Sequence, residues 1–112
     1  MNIKFLKLLI PRSGKVTEAL FEVGDKDIKI GVTDTFIAVS PAIKDVESFL
    51  RQCGKLMIRK MLLENNLSNY TFKAYNFTKT DNQRMSPEEI KEKLESEIIK
   101  LEEKQDSIGF KI

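Results

Sequence analysis

The sequence contains no histidine and only one cysteine, Cys53. A zinc site of the usual cysteine and histidine type therefore lacks its ligands, and an internal disulfide cannot form. Histidine is also the side chain that most often moves protons at neutral pH, so its absence argues against ordinary acid–base catalysis. We expect a non-enzymatic protein of the cytoplasm, with no metal site and no cofactor.

Long hydrophobic runs are absent as well. No apolar stretch approaches the roughly 20 residues that a membrane-spanning helix needs. The first ten residues are rich in Ile, Leu and Phe, but Lys4 and Lys7 interrupt them and no small-residue cleavage site follows before Pro11. We expect this segment to be a strand rather than a signal peptide, and we expect no membrane partner.

The totals indicate one domain spanning residues 1–112, because 41% hydrophobic content is enough for a single core in a chain of 112 residues. The net charge of only +2 does not by itself indicate a nucleic-acid partner. Residues 79–85 are polar and without periodicity, which predicts a loop or a tether.

The first half of the chain has the alternation of an antiparallel meander of three to four strands. Residues 2–10 are apolar on both faces, which is typical of a central strand or one covered twice. Residues 16–23 and 28–32 alternate around the hairpin signal Gly24-Asp25-Lys26. Phe36–Val39 predicts a further strand, and residues 70–78 predict another in the second half of the chain. The expected fold class is α+β with a small antiparallel sheet.

A long central helix is predicted at about residues 41–65, where apolar residues recur every three or four positions. Ser40-Pro41 has the chemistry of a helix start. Gly54 leaves two possibilities: the helix continues past a close approach to the sheet, or it ends there and Leu56–Leu63 becomes a strand. Helix propensity favours continuation. Cys53 lies on the apolar stripe and is interpreted as a small buried hydrophobe.

A C-terminal helix is predicted at about residues 87–104, because Ser86-Pro87-Glu88-Glu89 forms a capping box. Its apolar stripe is narrow, as in helices that dock in a groove or pair with a second helix. The stripe is therefore a candidate partner face or homodimer contact, although packing on its own domain is the more common use. The alternation in Ser107–Ile112 predicts a short added strand. The stripe consists of Ile90, Leu94, Ile98 and Leu101.

A row of cations follows the back of the central helix over about 22 Å at 1.5 Å per residue. Such a row suits a phosphate backbone, but it also suits an ordinary solvated helix face. Tyr75 and Phe77 would stack on bases if their side of the strand were open, and would be core otherwise. The row consists of Lys44, Arg51, Lys55 and Arg59.

Function is therefore expected to be binding of another protein, as accessory, adaptor or inhibitor proteins do. The high Lys, Ile and Asn content is typical of a low-GC bacterium, a phage or a mobile element. The alternative is a nucleic-acid-binding accessory protein that uses the basic helix face. A hydrolase or transferase would need a cluster of carboxylates brought together by the fold.

Overall fold

The computed structural model describes residues 2–9, 16–39, 45–78 and 85–109, and it has the predicted α+β class. Four strands form one sheet in the order β1-β2-β3-β4, and the first three make the expected antiparallel meander. Of the predicted tether at residues 79–85, residues 79–84 lie outside the described residues. The strands are β1 (Ile3–Leu9), β2 (Val16–Val23), β3 (Lys26–Thr33) and β4 (Tyr70–Phe72).

The β2–β3 hairpin turns through two residues, Gly24 and Asp25, and is the best-predicted part of the sheet. Gly24 has φ 65°, as the first central residue of a type II′ turn requires. The turn sets a register that turns the alternate apolar residues of both strands toward the same side of the sheet. The residues buried there are Ala19, Phe21, Val23, Ile28, Ile30 and Val32.

Strand β1 lies at the edge of the sheet, so the first of the two predicted alternatives, a central strand, is wrong. The register shifts between Phe5 and Lys7, which is a β-bulge. Phe5 pairs with buried Phe21 and Leu8 pairs with buried Ala19, so both face the core. The bulge therefore explains why the sequence looks apolar on both faces: the core-facing set changes phase at Leu6.

The segment predicted as a strand at Phe36–Val39 is a short helix, α1 (Asp34–Val39). The Thr33 hydroxyl oxygen accepts a hydrogen bond from the Phe36 amide at 3.2 Å, which is the contact of an N-cap. Phe36 is fully buried, with its ring centre 5.7 Å from that of Phe49 and 6.3 Å from that of Phe72. Capping by Thr33 and burial of Phe36 together outweigh the β propensity of this segment.

The central helix, α2 (Val46–Leu63), is confirmed, but it begins five residues later than predicted. Asp45 is the N-cap and its carboxylate accepts a hydrogen bond from the Ser48 amide at 3.1 Å. Residues 40–44, including the predicted start at Ser40-Pro41, lie outside the described residues. The predicted continuation through Gly54 is confirmed.

Gly54 lies where α2 approaches the sheet closely. A methyl group at this position would lie 2.9 Å from Cζ of Phe21, inside normal contact distance. Phe21 is itself fully buried, so its ring has little room to move. The glycine lets the helix backbone lie on the sheet at this point, which offsets its cost to helix propensity of about 1 kcal/mol.

The strand predicted at 70–78 is only partly formed, and β4 runs parallel to β3 rather than antiparallel. A parallel pair needs a long crossover, which α1 and α2 supply between β3 and β4. Beyond Phe72 the side-chain carbonyl of Asn76 accepts from the Lys73 amide at 3.2 Å, and Ala74–Asn76 form a 3-10 turn. The sheet is therefore mixed.

The C-terminal helix, α3 (Pro87–Gly109), starts with the predicted capping box. Ser86 accepts from the Glu89 amide at 3.2 Å, and the Glu89 carboxylate accepts from the Ser86 amide at 3.1 Å. The helix continues beyond residue 104, so residues 107–109 are helical and the predicted tail strand is wrong there. Residues 110–112 lie outside the described part of the chain.

Helix α2 packs on the sheet and also contacts α3, whereas α3 packs mainly on α2. One continuous core joins residues from the sheet, α1, α2 and α3. Within the described residues, no helix combines the length and the apolar character that crossing a bilayer requires.

Candidate interaction surface

The narrow stripe of α3, predicted as a candidate partner face, lies against α2 of the same chain. Ile90, Leu94 and Ile98 are at most 4% exposed, and Leu101 is half-buried. This stripe is therefore part of the core and is not a free face for a partner or for a homodimer. The narrowness has a simple reason: α3 packs mainly on one helix rather than flat on the sheet.

Polar contacts join the second half of α2 to α3. Lys60 forms an ion pair with Glu97 at 3.0 Å, and the Gln105 side-chain amide donates to the Leu63 carbonyl at 3.0 Å. Cys53 in the first half of α2 lies close to Lys91 near the start of α3, and Leu63 at the end of α2 contacts Gln105 near the end of α3, so the two helices run parallel. Each of these polar contacts is at least partly open to solvent, so it adds little stability compared with burial of the apolar stripe.

The predicted row of cations is divided among different surroundings. Lys44 lies outside the described residues. Arg51 pairs with Glu47 at 3.3 Å, and Arg59 pairs with Glu102 of α3 at 3.2 Å. Lys55 is exposed and has no ion-pair partner in the described part of the chain. The described members of the row therefore do not form a continuous line of free cations.

Arg51 and Lys55 do come together with strand β1, in a groove between the start of that strand and α2. The groove has a volume of about 560 Å³. The Arg51 guanidinium carbon lies 4.1 Å from the centre of the Phe5 ring, a stacked cation–π contact. We call this surface the β1/α2 groove; it is lined by Asn2, Ile3, Lys4, Phe5, Glu22, Gly24, Arg51 and Lys55.

The β1/α2 groove has an excess of positive charge. Lys4, Arg51 and Lys55 line it against a single carboxylate, Glu22. The contact with Phe5 and the ion pair with Glu47 together hold the Arg51 side chain at the groove wall. A preorganised guanidinium loses less side-chain entropy when it binds a carboxylate or a phosphate.

Sequence reasoning missed the contribution of β1 to this surface. Lys4 and Phe5 are separated from Arg51 and Lys55 by more than 40 residues, and only tertiary packing brings them together. A signal was nevertheless present, because lysines within an apolar strand are typical of a sheet edge.

The two aromatic residues considered for base stacking lie in different surroundings. Phe77 is 4% exposed and buried in the core, whereas Tyr75 is 70% exposed.

A second, smaller cavity of about 350 Å³ lies among the end of α2, β4 and the first half of α3. Its floor includes Met61 and Leu94, and Tyr70 stands at its wall. Burial raises the pKa of Tyr70, with further effects from Glu97 and Tyr75, so its phenol is neutral at physiological pH. The ion pair of Lys60 with Glu97 also borders this cavity, which leaves its polar rim without a strong excess of either charge.

The buried thiol of Cys53 is not a nucleophile at neutral pH. Burial raises its pKa to about 12, Lys91 lowers it by a smaller amount, and Glu88 and Glu95 add to the increase. The thiol is therefore protonated, and Cys53 is 2% exposed, as a small buried hydrophobe would be. Across the described residues, no three metal-ligating side chains converge on one point.

Of the surfaces described, the β1/α2 groove combines an excess of positive charge, an aromatic wall and a position at the edge of the sheet. No family model matches this chain, and neither does any curated protein or solved structure. The residues of the groove themselves therefore carry the functional proposal.

Proposed function

We propose that this protein is a non-enzymatic binding protein that holds an acidic segment of another protein in the β1/α2 groove. The observation that carries the proposal is that Arg51, stacked on the Phe5 ring, and Lys55 line the groove at the edge of the sheet, where Lys4 adds a third cation on the opposite face. Cationic side chains beside an apolar wall suit a chain segment that carries both carboxylates and hydrophobic residues. An accessory, adaptor or inhibitor protein would work in this way.

A protein segment fits this groove better than a nucleic acid does. A phosphate backbone needs several free cations at regular intervals. Arg59 already has a carboxylate partner, and Glu22 lies within the groove. The partner Glu102 of Arg59 belongs to α3, whose exposed side adds Glu92, Glu95 and Glu103. These carboxylates would repel a polyanion that extended along α2 beyond the groove.

The test is a selection of random dodecapeptides displayed on phage against the full-length protein. We expect the enriched peptides to be rich in Asp and Glu, and to bind the double variant Arg51→Glu/Lys55→Glu at least 10-fold more weakly. The matched control, Lys100→Glu/Lys104→Glu, makes the same change in net charge on exposed positions of α3 and should leave affinity within 2-fold. Circular dichroism confirms that both variants fold.

Two results would decide against the proposal. Peptides enriched equally on wild type and on the Arg51→Glu/Lys55→Glu variant would show that the groove is not the site. Fluorescence anisotropy with labelled single- and double-stranded oligonucleotides at 50 and 200 mM salt tests the alternative. Binding that falls steeply with salt and requires Arg51 and Lys55, with no acidic peptide selected, would assign the groove to nucleic acid.

A further inference from the structure

Strand β1 has an outer edge, beside the β1/α2 groove, that is unpaired among the described residues. It is the first strand in the sheet order, and no described strand pairs with its outer side. It is seven residues long, whereas the opposite edge strand, β4, has only three. An unpaired edge of this length presents several amide and carbonyl groups to a neighbouring chain.

We infer that the bound acidic segment adds to the outer edge of β1 as an extended fifth strand of the sheet. This inference rests on the proposed function and specifies how the groove is filled. Main-chain hydrogen bonds to β1 supply affinity in such strand addition, and side-chain contacts on either face supply specificity.

Cations stand on both faces of the sheet at this edge. Lys4 pairs with Glu22 and Lys7 pairs with Leu20, which places both lysines on the face away from α2. Arg51 and Lys55 stand on the other face, on α2. A strand added beside β1 points alternate side chains to the two faces, so carboxylates on either face find a cation.

The apolar side chains of β1 define the rest of the contact. Phe5 and Leu8 face α2 and are only half-buried, while Leu6 at the bulge is 39% exposed. Hydrophobic residues of an added strand would cover them. The preferred segment therefore mixes carboxylates with β-branched or aromatic residues and is extended when bound.

A second copy of this chain is a poor occupant of the edge. Pairing β1 with β1 of another copy would bring Lys4 and Lys7 of one strand close to the same residues of the other, and like charges across a strand pair are destabilising. Edge lysines and a β-bulge are features that limit indiscriminate strand pairing. The same lysines attract an acidic strand, so the edge of β1 favours acidic segments over a second copy of this chain.

The experiment uses the acidic peptide most enriched in the selection described above. Two versions are synthesised, each with N-methyl groups on one of the two alternating sets of residues. An added strand directs one set of amides to β1 and the other set to solvent. We expect the version methylated on the amides that face β1 to bind at least 10-fold more weakly than the parent peptide. The version methylated on the solvent-facing amides should bind within about 3-fold of the parent. Equal affinities of the two versions would overturn strand addition.

A pair of lysine variants extends the test to the protein. Lys7 is on β1 but outside the groove lining, so Lys7→Glu should weaken binding at least 5-fold only if the peptide runs along the strand. Lys29→Glu, on the inner strand β3, should have no effect. An unchanged affinity of Lys7→Glu, with dependence on Arg51 and Lys55 retained, would overturn strand addition and leave the proposed function standing. Failure to select acidic peptides would contradict the proposed function itself.

Discussion

Burial of Cys53 makes the stability of this protein sensitive to alkaline pH. Burial raises its folded-state pKa to about 12, above the ordinary thiol value of 9.0, so the contribution of the protonated thiol to stability is fully present below pH 9. Above that pH the unfolded chain loses the proton first, and stability falls by up to about 1.4 kcal/mol per pH unit until the folded-state pKa is reached. We expect the free energy of unfolding of the wild type to decrease between pH 9 and pH 11, measured by urea denaturation.

The variant Cys53→Ala separates this effect from other alkaline titrations. At pH 7 the variant should be less stable by about 1 kcal/mol, because one buried methylene-sized group is removed. As pH rises above 9 the deficit should shrink and then reverse, since alanine has no proton to lose. A constant difference between the two proteins from pH 7 to pH 11 would show that the thiol does not titrate in this way.

Residue-scale features divide into those with a local cause and those without. The capping box of Ser86 and Glu89 and the turn at Gly24 depend on residues within four positions, and both were predictable. The close approach at Gly54 was one of two alternatives in the sequence. Choosing between them required the ring of Phe21 on another element.

At the scale of elements, α3 depends for its position on three buried side chains. We expect Leu94→Ala to lower the free energy of unfolding by about 2–5 kcal/mol, because a fully buried leucine leaves a cavity when truncated. Ile99→Ala is the matched control: Ile99 is 55% exposed on the same helix, so its truncation should change stability by less than about 0.5 kcal/mol. Urea denaturation followed by circular dichroism measures both. Equal effects of the two substitutions would contradict the packing of this stripe on α2.

Element types followed from the sequence wherever periodicity was long. The meander, α2 and α3 were predicted, because each has several turns or alternations of consistent pattern. The wrong predictions concern short segments, where a single side-chain contact determines the type of element or the residue at which it ends. Thr33 caps α1, and Asn76 captures the Lys73 amide where β4 ends. The bulge in β1 changed the interpretation from a central to an edge strand, since a one-residue shift exchanges the faces.

At the scale of the whole molecule, only the α2 residues of the candidate surface could be predicted from the sequence. Arg51 and Lys55 were found because helical spacing places them on one line. Lys4 and Phe5 complete the groove only through the packing of α2 across the β1–β2 pair, which no local pattern encodes. The partner role predicted for the α3 stripe failed for the related reason that an amphipathic pattern does not specify what it packs against.

The packing of α3 mainly on α2, rather than on the sheet, predicts that the molecule opens in two steps. Helix α3 packs mainly on α2, and its ion pairs Arg59–Glu102 and Lys60–Glu97 are at least partly exposed. Detaching α3 exposes its buried apolar stripe to water, but it leaves the sheet intact and α2 packed on the sheet. Cys53 lies close enough to Glu88, Lys91 and Glu95 of α3 for their charges to affect its pKa, so its thiol reports this opening.

We expect the Cys53 thiol to react with a disulfide reagent through an opening whose free energy lies below that of global unfolding. Hydrogen exchange of the buried β3 amides, such as that of Ile30, gives the global value for comparison. The opening should also have the smaller dependence on urea, because it exposes less surface than unfolding does. Leu94→Ala should accelerate labelling at least about 30-fold, the ratio that corresponds to the lower limit of about 2 kcal/mol. If thiol labelling and β3 exchange had the same free energy and the same urea dependence, α3 would open only with the whole domain.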